Sequence, residues 1–216
     1  LQKTSATKSK SVNYEIIGGR KNVIRKEKEI FKTSSRAQIG YQTSILPSLD
    51  DLPMIDRSLI DYAKYHKYVG HAVRKNSMAM QATRGCPYKC FYCDIYKTTI
   101  NHYRRSVENI VEEVKVLADL GIRRIEFIDD IFNVNVKHCY SFFEKMSKSG
   151  LNLEFMFPNG LKGDLFTKEL LDMMVEGGLR GMNLSLEHAS PRLQKVMRKN
   201  LDVERFRENI QYVASK

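Results

Sequence analysis

From Met78 to Lys216, short apolar runs alternate with amphipathic stretches, and this alternation constrains the fold more than any other feature. "SMAMQAT" reads as a strand, "RIEFID" as a second, "LEFMF" as a third and "GMNLSLE" as a fourth. Helical periods lie between them. From Ser106 to Leu120, Val107, Ile110, Val111, Val114 and Leu117 form one apolar stripe; Ser106 is placed to cap it and Gly121 to close it. Asn135–Ser149 puts Val136, Cys139, Phe143 and Met146 inward and ends at Gly150. Thr167 opens a helix carrying Leu170, Leu171 and Met174, which Gly177 and Gly178 stop. Ser190–Pro191 has the favoured cap-then-proline order, and Asp202 caps a last helix with Val203, Phe206, Ile210 and Val213. Strands separated by helices pair in parallel through crossovers. The expected fold class is therefore α/β, a partial (β/α) barrel with about four βα units. An unpaired parallel edge strand is a liability, so the fourth strand implies a fragment of a larger barrel.

The residues before this block differ in texture. "NYEIIGGRKNVIRK" suits a hairpin around Gly18 and Gly19. "ILPSLDDLPMIDRSLIDYAKY" is punctuated by Pro47 and Pro53, with a short helix expected from Ser58 to Tyr65. Residues 1–76 are read as the tail of a preceding domain plus a linker, and 77–216 as the first part of the barrel.

No apolar run approaches the roughly 20 residues that cross a bilayer. The first ten residues, "LQKTSATKSK", lack the apolar core of a secretory signal, so the expected location is cytoplasmic, with no membrane span. A net charge of +11 suits a polyanionic partner. The basic residues are scattered and not interleaved with aromatics, so nucleic acid is a possible partner but not the favoured one.

Three of the four cysteines, Cys86, Cys90 and Cys93, fall in "RGCPYKCFYC" with the spacing Cys-x3-Cys-x2-Cys. Extracellular disulfide scaffolds spread their cysteines along the chain, so a tight trio argues for a metal site. Structural zinc usually takes two Cys-x2-Cys clips, and no fourth ligand is evident here: His102 is nine residues on, and Cys139 sits on an apolar helix face. A 4Fe-4S cluster ordinarily takes four thiolates; three would leave one iron open to a ligand from outside the protein.

"CPYKCFYC", placed after a strand and before a helix, resembles the CxxxCxφC signature of the radical S-adenosylmethionine (SAM) superfamily, with Tyr92 as the aromatic residue. The resemblance implies a 4Fe-4S cluster on Cys86, Cys90 and Cys93. It implies that SAM chelates the open iron and that reductive cleavage yields a 5′-deoxyadenosyl radical that takes hydrogen from a substrate. It also implies that Tyr92 lies against the adenine and that "IDDIFNVN" supplies a carboxylate for the SAM ammonium. Asp129 and Asp130 occupy that edge in place of the commoner Gly-Gly-Glu, and the sequence does not separate them; turn and cap chemistry is the structural alternative. Asn159 of "PNGLKGD" faces the cofactor or simply makes a turn. Ser185 and Glu187 of "SLEHAS" are expected on one strand face, reaching the SAM ribose or carboxylate. Arg104 and Arg105 meet an anionic substrate or pair with surface acids, and Cys139 is read as core. The expected partners are a reductase or flavodoxin-type electron donor and a small-molecule or peptide substrate that the residues do not specify.

"LDDLPMIDRSLIDYAKY" followed by "QATRGCPYKCFYC" is similar to the junction in cobalamin-dependent members of that superfamily, where a cobalamin domain precedes the barrel. "FIDDIFNVN" and "LSLEHASPRLQKVMRKN" fit the same subgroup. It implies cobalamin as a further cofactor, bound outside this chain, with methyl transfer as the reaction and a fragment that is inactive alone. A methylthiotransferase-like protein acting on tRNA and a non-catalytic metal-binding module are the alternatives.

Overall fold

The computed structural model describes residues 31–33, 36–38, 48–64, 74–98 and 101–216. The chain divides into two compact units, Leu1–Ile45 and Leu46–Lys216. In the first, β1 (Phe31–Thr33) and β2 (Arg36–Gln38) pair antiparallel, with Phe31 opposite Gln38. The hairpin expected around Gly18 and Gly19 lies outside the described residues.

The second unit opens with three separate 3-10 turns, Leu49–Asp51, Arg57–Leu59 and Tyr62–Lys64. The last two replace the helix expected from Ser58. Asp56 explains part of the difference: its carboxylate accepts from the Ser58 amide at 2.9 Å, which favours a local turn over a continuing helix. These residues form a strap along the barrel. Asp50 accepts from the Ser106 amide at 2.9 Å, and Arg57 meets the buried Glu113 at 2.6 Å, where Arg105 also donates. A cavity of about 130 Å³ remains beneath the strap, lined in part by Leu49, Met54 and Thr83.

The remaining elements follow in order: β3 (Ser77–Met80), β4 (Thr83–Arg84), α1 (Ile95–Thr98), β5 (Tyr103–Arg104), α2 (Val107–Asp119), β6 (Arg124–Phe127) and α3 (Val136–Lys148). After these come β7 (Glu154–Leu161), α4 (Lys168–Glu176), β8 (Leu179–Leu184), α5 (Pro191–Val196) and α6 (Val203–Ala214). Four strands form one parallel sheet in the order β3-β6-β7-β8, and β4 pairs antiparallel with β5 beside it. Among the described residues β8 pairs only with β7. The four βα units expected from the alternation are therefore present, arranged as a run of barrel wall.

Period-two alternation decides which face is covered. Ile125 and Phe127 of β6 and Phe155 and Phe157 of β7 are buried. They pack with Leu117 of α2, Phe142 and Phe143 of α3 and Leu170 of α4 in one core. Phe127 is its centre, with ring centroids of Phe132, Phe142 and Phe157 at 5.0, 5.4 and 5.3 Å. Cys139 lies in this core, fully buried, as expected. The alternate residues, Ala79, Glu126 and Met156, stand in register on the other face.

Four helix starts are capped by the side chains their sequences offered. Ser106, Asn135, Thr167 and Asp202 accept from the amides three residues on. Ser190 makes no such bond; Pro191 alone marks that start. The third strand runs farther than "LEFMF", through Leu161. Its register against β8 shifts between Phe157 and Leu161, where Pro158 has no N–H and Gly160 has a φ of +100°. The shift lets pairing resume at Leu161, opposite Leu184. Among the described residues, no helix is long and apolar enough to cross a membrane.

Candidate active site

The carboxyl ends of the parallel strands converge on a cleft of about 200 Å³. Cys86, Cys90, Cys93 and Tyr92 line it from the loop after β4, Asp130 from the loop after β6, and Asn159 from the register shift in β7. Ser185 and Glu187 line it from the turn after β8. Sites in open α/β sheets and barrels sit at this edge because the loops there are free of the sheet's hydrogen bonding.

The cysteine loop is held from two sides and by a turn of its own. Gly85, at φ +82°, donates its amide to Asp130 Oδ2 at 2.9 Å. The Phe91 amide donates to the Met197 carbonyl at 3.0 Å, tying the loop to the end of α5. The Cys93 amide donates to the Cys90 carbonyl at 3.1 Å, which closes the second half of the motif. The three thiols are half-buried, and no disulfide joins them. Burial raises the Cys86 thiol above its ordinary value; the Tyr88 amide pulls the other way, and Cys90, Cys93 and Asp130 add to the rise. Among the described residues, no three His, Cys, Asp or Glu side chains converge as the ligands of one metal ion would. All three thiols line the cleft.

The structure separates the two aspartates. Asp130 faces the cleft. Asp129 is 3% exposed and does not line it; its carboxylate accepts from the amides of Ala82 and Thr83 where the chain turns from β3 into β4. It is spent on backbone donors that would otherwise be buried unpaired. Burial raises its pKa to about 6, against the pull of the Thr83 and Ala82 hydrogen bonds. A folded pKa above the unfolded one favours folding at low pH, and the contribution is lost as pH rises from about 4 through 6. Relative to Asp129→Asn, the wild-type chain should lose on the order of 2–3 kcal/mol over that window. Urea midpoints of both proteins at pH 4 and pH 7 check this, and parallel profiles would contradict it.

Asn159 donates to the Ile128 and Asp129 carbonyls at 2.9 and 3.3 Å, so it fastens β7 to the loop after β6 at the cleft wall. Ser185 and Glu187 reach the cleft, but not as one strand face: β8 ends at Leu184, and Glu187 has a left-handed φ of +65°. Ser185 sits close over Gly160: a Cβ there would lie 2.7 Å from its hydroxyl oxygen and force it to turn away, and the φ of +100° favours glycine in any case. Tyr92 is 46% exposed at the mouth, in edge contact with Phe91. Burial raises its phenol well above the ordinary value, and the neighbouring Cys90 and Glu187 add to the rise.

Two charged lining residues, Lys162 and Lys199, were not foreseen. Lys162 is 8% exposed and binds both oxygens of Asp164, at 2.8 and 2.6 Å, with its ammonium 5.2 Å from the Tyr88 ring centroid. Lys199 pairs with Glu187 at 3.0 Å. A lysine and an aspartate two apart just after a strand end, as in "LKGD", were a usable sign of the first pair. Arg105 binds the buried Glu113 and the Gln81 carbonyl, which answers the choice left open for it: it pairs within the protein.

An uncharacterized methyltransferase of Pyrococcus horikoshii is 26% identical over 173 residues, covering 79% of this chain and 36% of the relative. Cytidylyl-2-hydroxyethylphosphonate methyltransferase of Streptomyces wedmorensis is 30% identical over 144 residues, covering 63% of this chain and 26% of the relative. The chain thus spans about a third or less of these relatives. A structure of the radical S-adenosylmethionine methyltransferase TsrM from Kitasatospora setae, with tryptophan and a SAM analog bound, superposes with a TM-score of 0.62 at 20% identity. The match covers 72% of this chain and 30% of that one and carries the likeness of fold. The family model described as the radical SAM superfamily matches residues 80–216, well over half the chain and the whole run from the end of β3 through the cysteine loop to α6, and the chain belongs to that superfamily.

Proposed function

We propose that this chain is the core of a radical SAM enzyme, with Cys86, Cys90 and Cys93 holding a 4Fe-4S cluster and the adjoining cleft taking SAM. The observation that carries the reading is convergence: thiols from one loop meet carboxylates, an amide and a hydroxyl from three others at the same sheet edge. The donor set fits the cluster. Three soft thiolates lining one cleft from a single loop suit iron–sulfur ligation. When bound, the cluster supplies the electron that breaks a carbon–sulfur bond of SAM.

The protein's own residues position and shield. Asp130 offers a carboxylate to an ammonium group while one of its oxygens holds the Gly85 amide. Tyr92 gives an aromatic face at the mouth, where an adenine is accommodated by stacking. Ser185 and Glu187 offer a hydroxyl and a carboxylate to a ribose or a charged amine.

The subgroup is proposed as the cobalamin-dependent one, on the Asp-Leu-Pro strap and the methyltransferase relatives. Residues 1–76 then belong to the tail and linker of the preceding domain, and methyl transfer to an unidentified substrate is the reaction. The electron comes from a reductase or flavodoxin-type donor.

Anaerobic reconstitution with iron and sulfide should load about one 4Fe-4S cluster per chain. The EPR signal of the reduced cluster should change when SAM is added; a signal indifferent to SAM would overturn the reading. A corrinoid absorption band in the protein purified from its own source separates the cobalamin-dependent subgroup from the methylthiotransferase-like alternative.

A further inference from the structure

Gln194, on α5, is 2% exposed, and each polar atom of its side chain has a task. Its Nε2 donates to the Leu186 carbonyl at 2.7 Å and to the His188 carbonyl at 2.6 Å. These two carbonyls lie on either side of Glu187, which is held at a φ of +65°. That conformation is uncommon for glutamate and persists where the surroundings hold it. The Gln194 Oε1 accepts from the Leu201 amide at 3.4 Å, and its backbone carbonyl accepts from the Lys199 amide at 3.1 Å. One buried side chain therefore grips the backbone on both sides of Glu187 and at Leu201, two residues beyond Lys199. The Glu187 and Lys199 side chains, drawn from segments twelve residues apart, meet at 3.0 Å on the cleft wall.

We propose that Gln194 is a positioning residue that sets the Glu187–Lys199 pair in the cleft and thereby sets the cleft's affinity for the charged amino-acid end of SAM. The second half of this statement rests on the proposed function; the first stands on geometry alone. A leucine of similar size at 194 keeps the packing but frees both carbonyls. Glu187 then relaxes toward ordinary backbone angles and its carboxylate leaves Lys199. Lys199 is largely covered, its side chain 11% exposed, so loss of its partner is readable as chemical reactivity.

The test uses the whole chain. Acylation of Lys199 by an N-hydroxysuccinimidyl ester, mapped by mass spectrometry on the unloaded protein, should speed up about tenfold in Gln194→Leu and in Glu187→Gln, about one order in the pairing equilibrium. The double variant should gain nothing over either single one, because both remove the same pairing. In the reconstituted protein, Gln194→Leu should keep its iron and sulfide but bind SAM about tenfold more weakly by equilibrium dialysis. Unchanged Lys199 reactivity in folded Gln194→Leu overturns the positioning role, and faster acylation with undiminished SAM affinity overturns the tuning. If Gln194→Leu does not fold, hydrogen exchange in the wild-type chain decides: fast exchange at the Leu201 amide, which donates to the Gln194 side chain, overturns the grip, and slow exchange supports it. A wild-type chain that binds no SAM defeats the proposed function, while the reactivity comparison still judges Gln194.

Discussion

Replacing Cys90 by alanine is expected to leave the chain unable to hold its cluster. Anaerobically loaded wild-type protein should carry about four irons and four sulfides per chain; Cys90→Ala should carry well under one of each after desalting. Cys90 is the middle ligand of Cys-x3-Cys-x2-Cys, and its carbonyl receives the Cys93 amide at 3.1 Å, so it shares the turn that brings its neighbour to the cleft. Two remaining thiolates would leave two irons of a cubane without a protein ligand. The loop itself should survive, since Gly85, Phe91 and Cys93 are fixed through backbone groups that alanine keeps. Cys139→Ala makes the informative comparison. That thiol is fully buried in the core, burial pushes its pKa far up, and it takes no part in the cleft. Its loss should lower stability by about 1 kcal/mol, as deletion of a small buried group does, while iron and sulfide stay at the wild-type level. Full iron in Cys90→Ala, or lost iron in Cys139→Ala, would sink the assignment.

Lys162→Met should strip the fold of a large part of its stability. Lys162 and Asp164 are each 8% exposed, and their side chains make two bonds to one another. Asp164 also receives the Asp202 amide at 3.0 Å at the start of α6. Lys162 and Asn133 exchange bonds at 3.1 and 2.9 Å, joining β7 to the loop after β6. Methionine matches the stem but not the charge, so a carboxylate is left buried without its cation. Breaking one side of such a pair costs about 3–5 kcal/mol, against a total of roughly 5–15 kcal/mol for an ordinary domain. Lys162→Met/Asp164→Asn should recover much of that, because asparagine removes the stranded charge and can still accept from Asp202. Urea denaturation of the single and double variants measures both effects. A double variant as unstable as the single one would show that charge burial is not the cause.

How much of this was legible depended on the range of the interaction. Ser106, Asn135, Thr167 and Asp202 were readable as helix starts because a cap acts over three residues of the same chain. The four parallel strands were readable from alternation and the cysteine loop from spacing; the short antiparallel pair β4–β5 was not. The fates of Asp129 and Asp130 were not, since adjacent residues on an irregular turn point apart for reasons that lie in β4 and in Gly85. Glu187 was placed by counting along a strand that had already ended. Gln194 offered no signal: a glutamine on a short helix looks like any solvent-facing polar residue until the chain folds back over it.

The strap has a bearing on how this protein is cut for study. Asp50 supplies an acceptor at the first turn of α2, and Arg57 supplies one of the two guanidinium groups that neutralise Glu113. Trimming to the first parallel strand, an intuitive choice for an isolated catalytic core, would strip both at once and uncover Leu49's seat. Expression plasmids that start near residue 46, the beginning of the compact unit, retain this buttress; those that start at 77 invite aggregation before any cofactor is added.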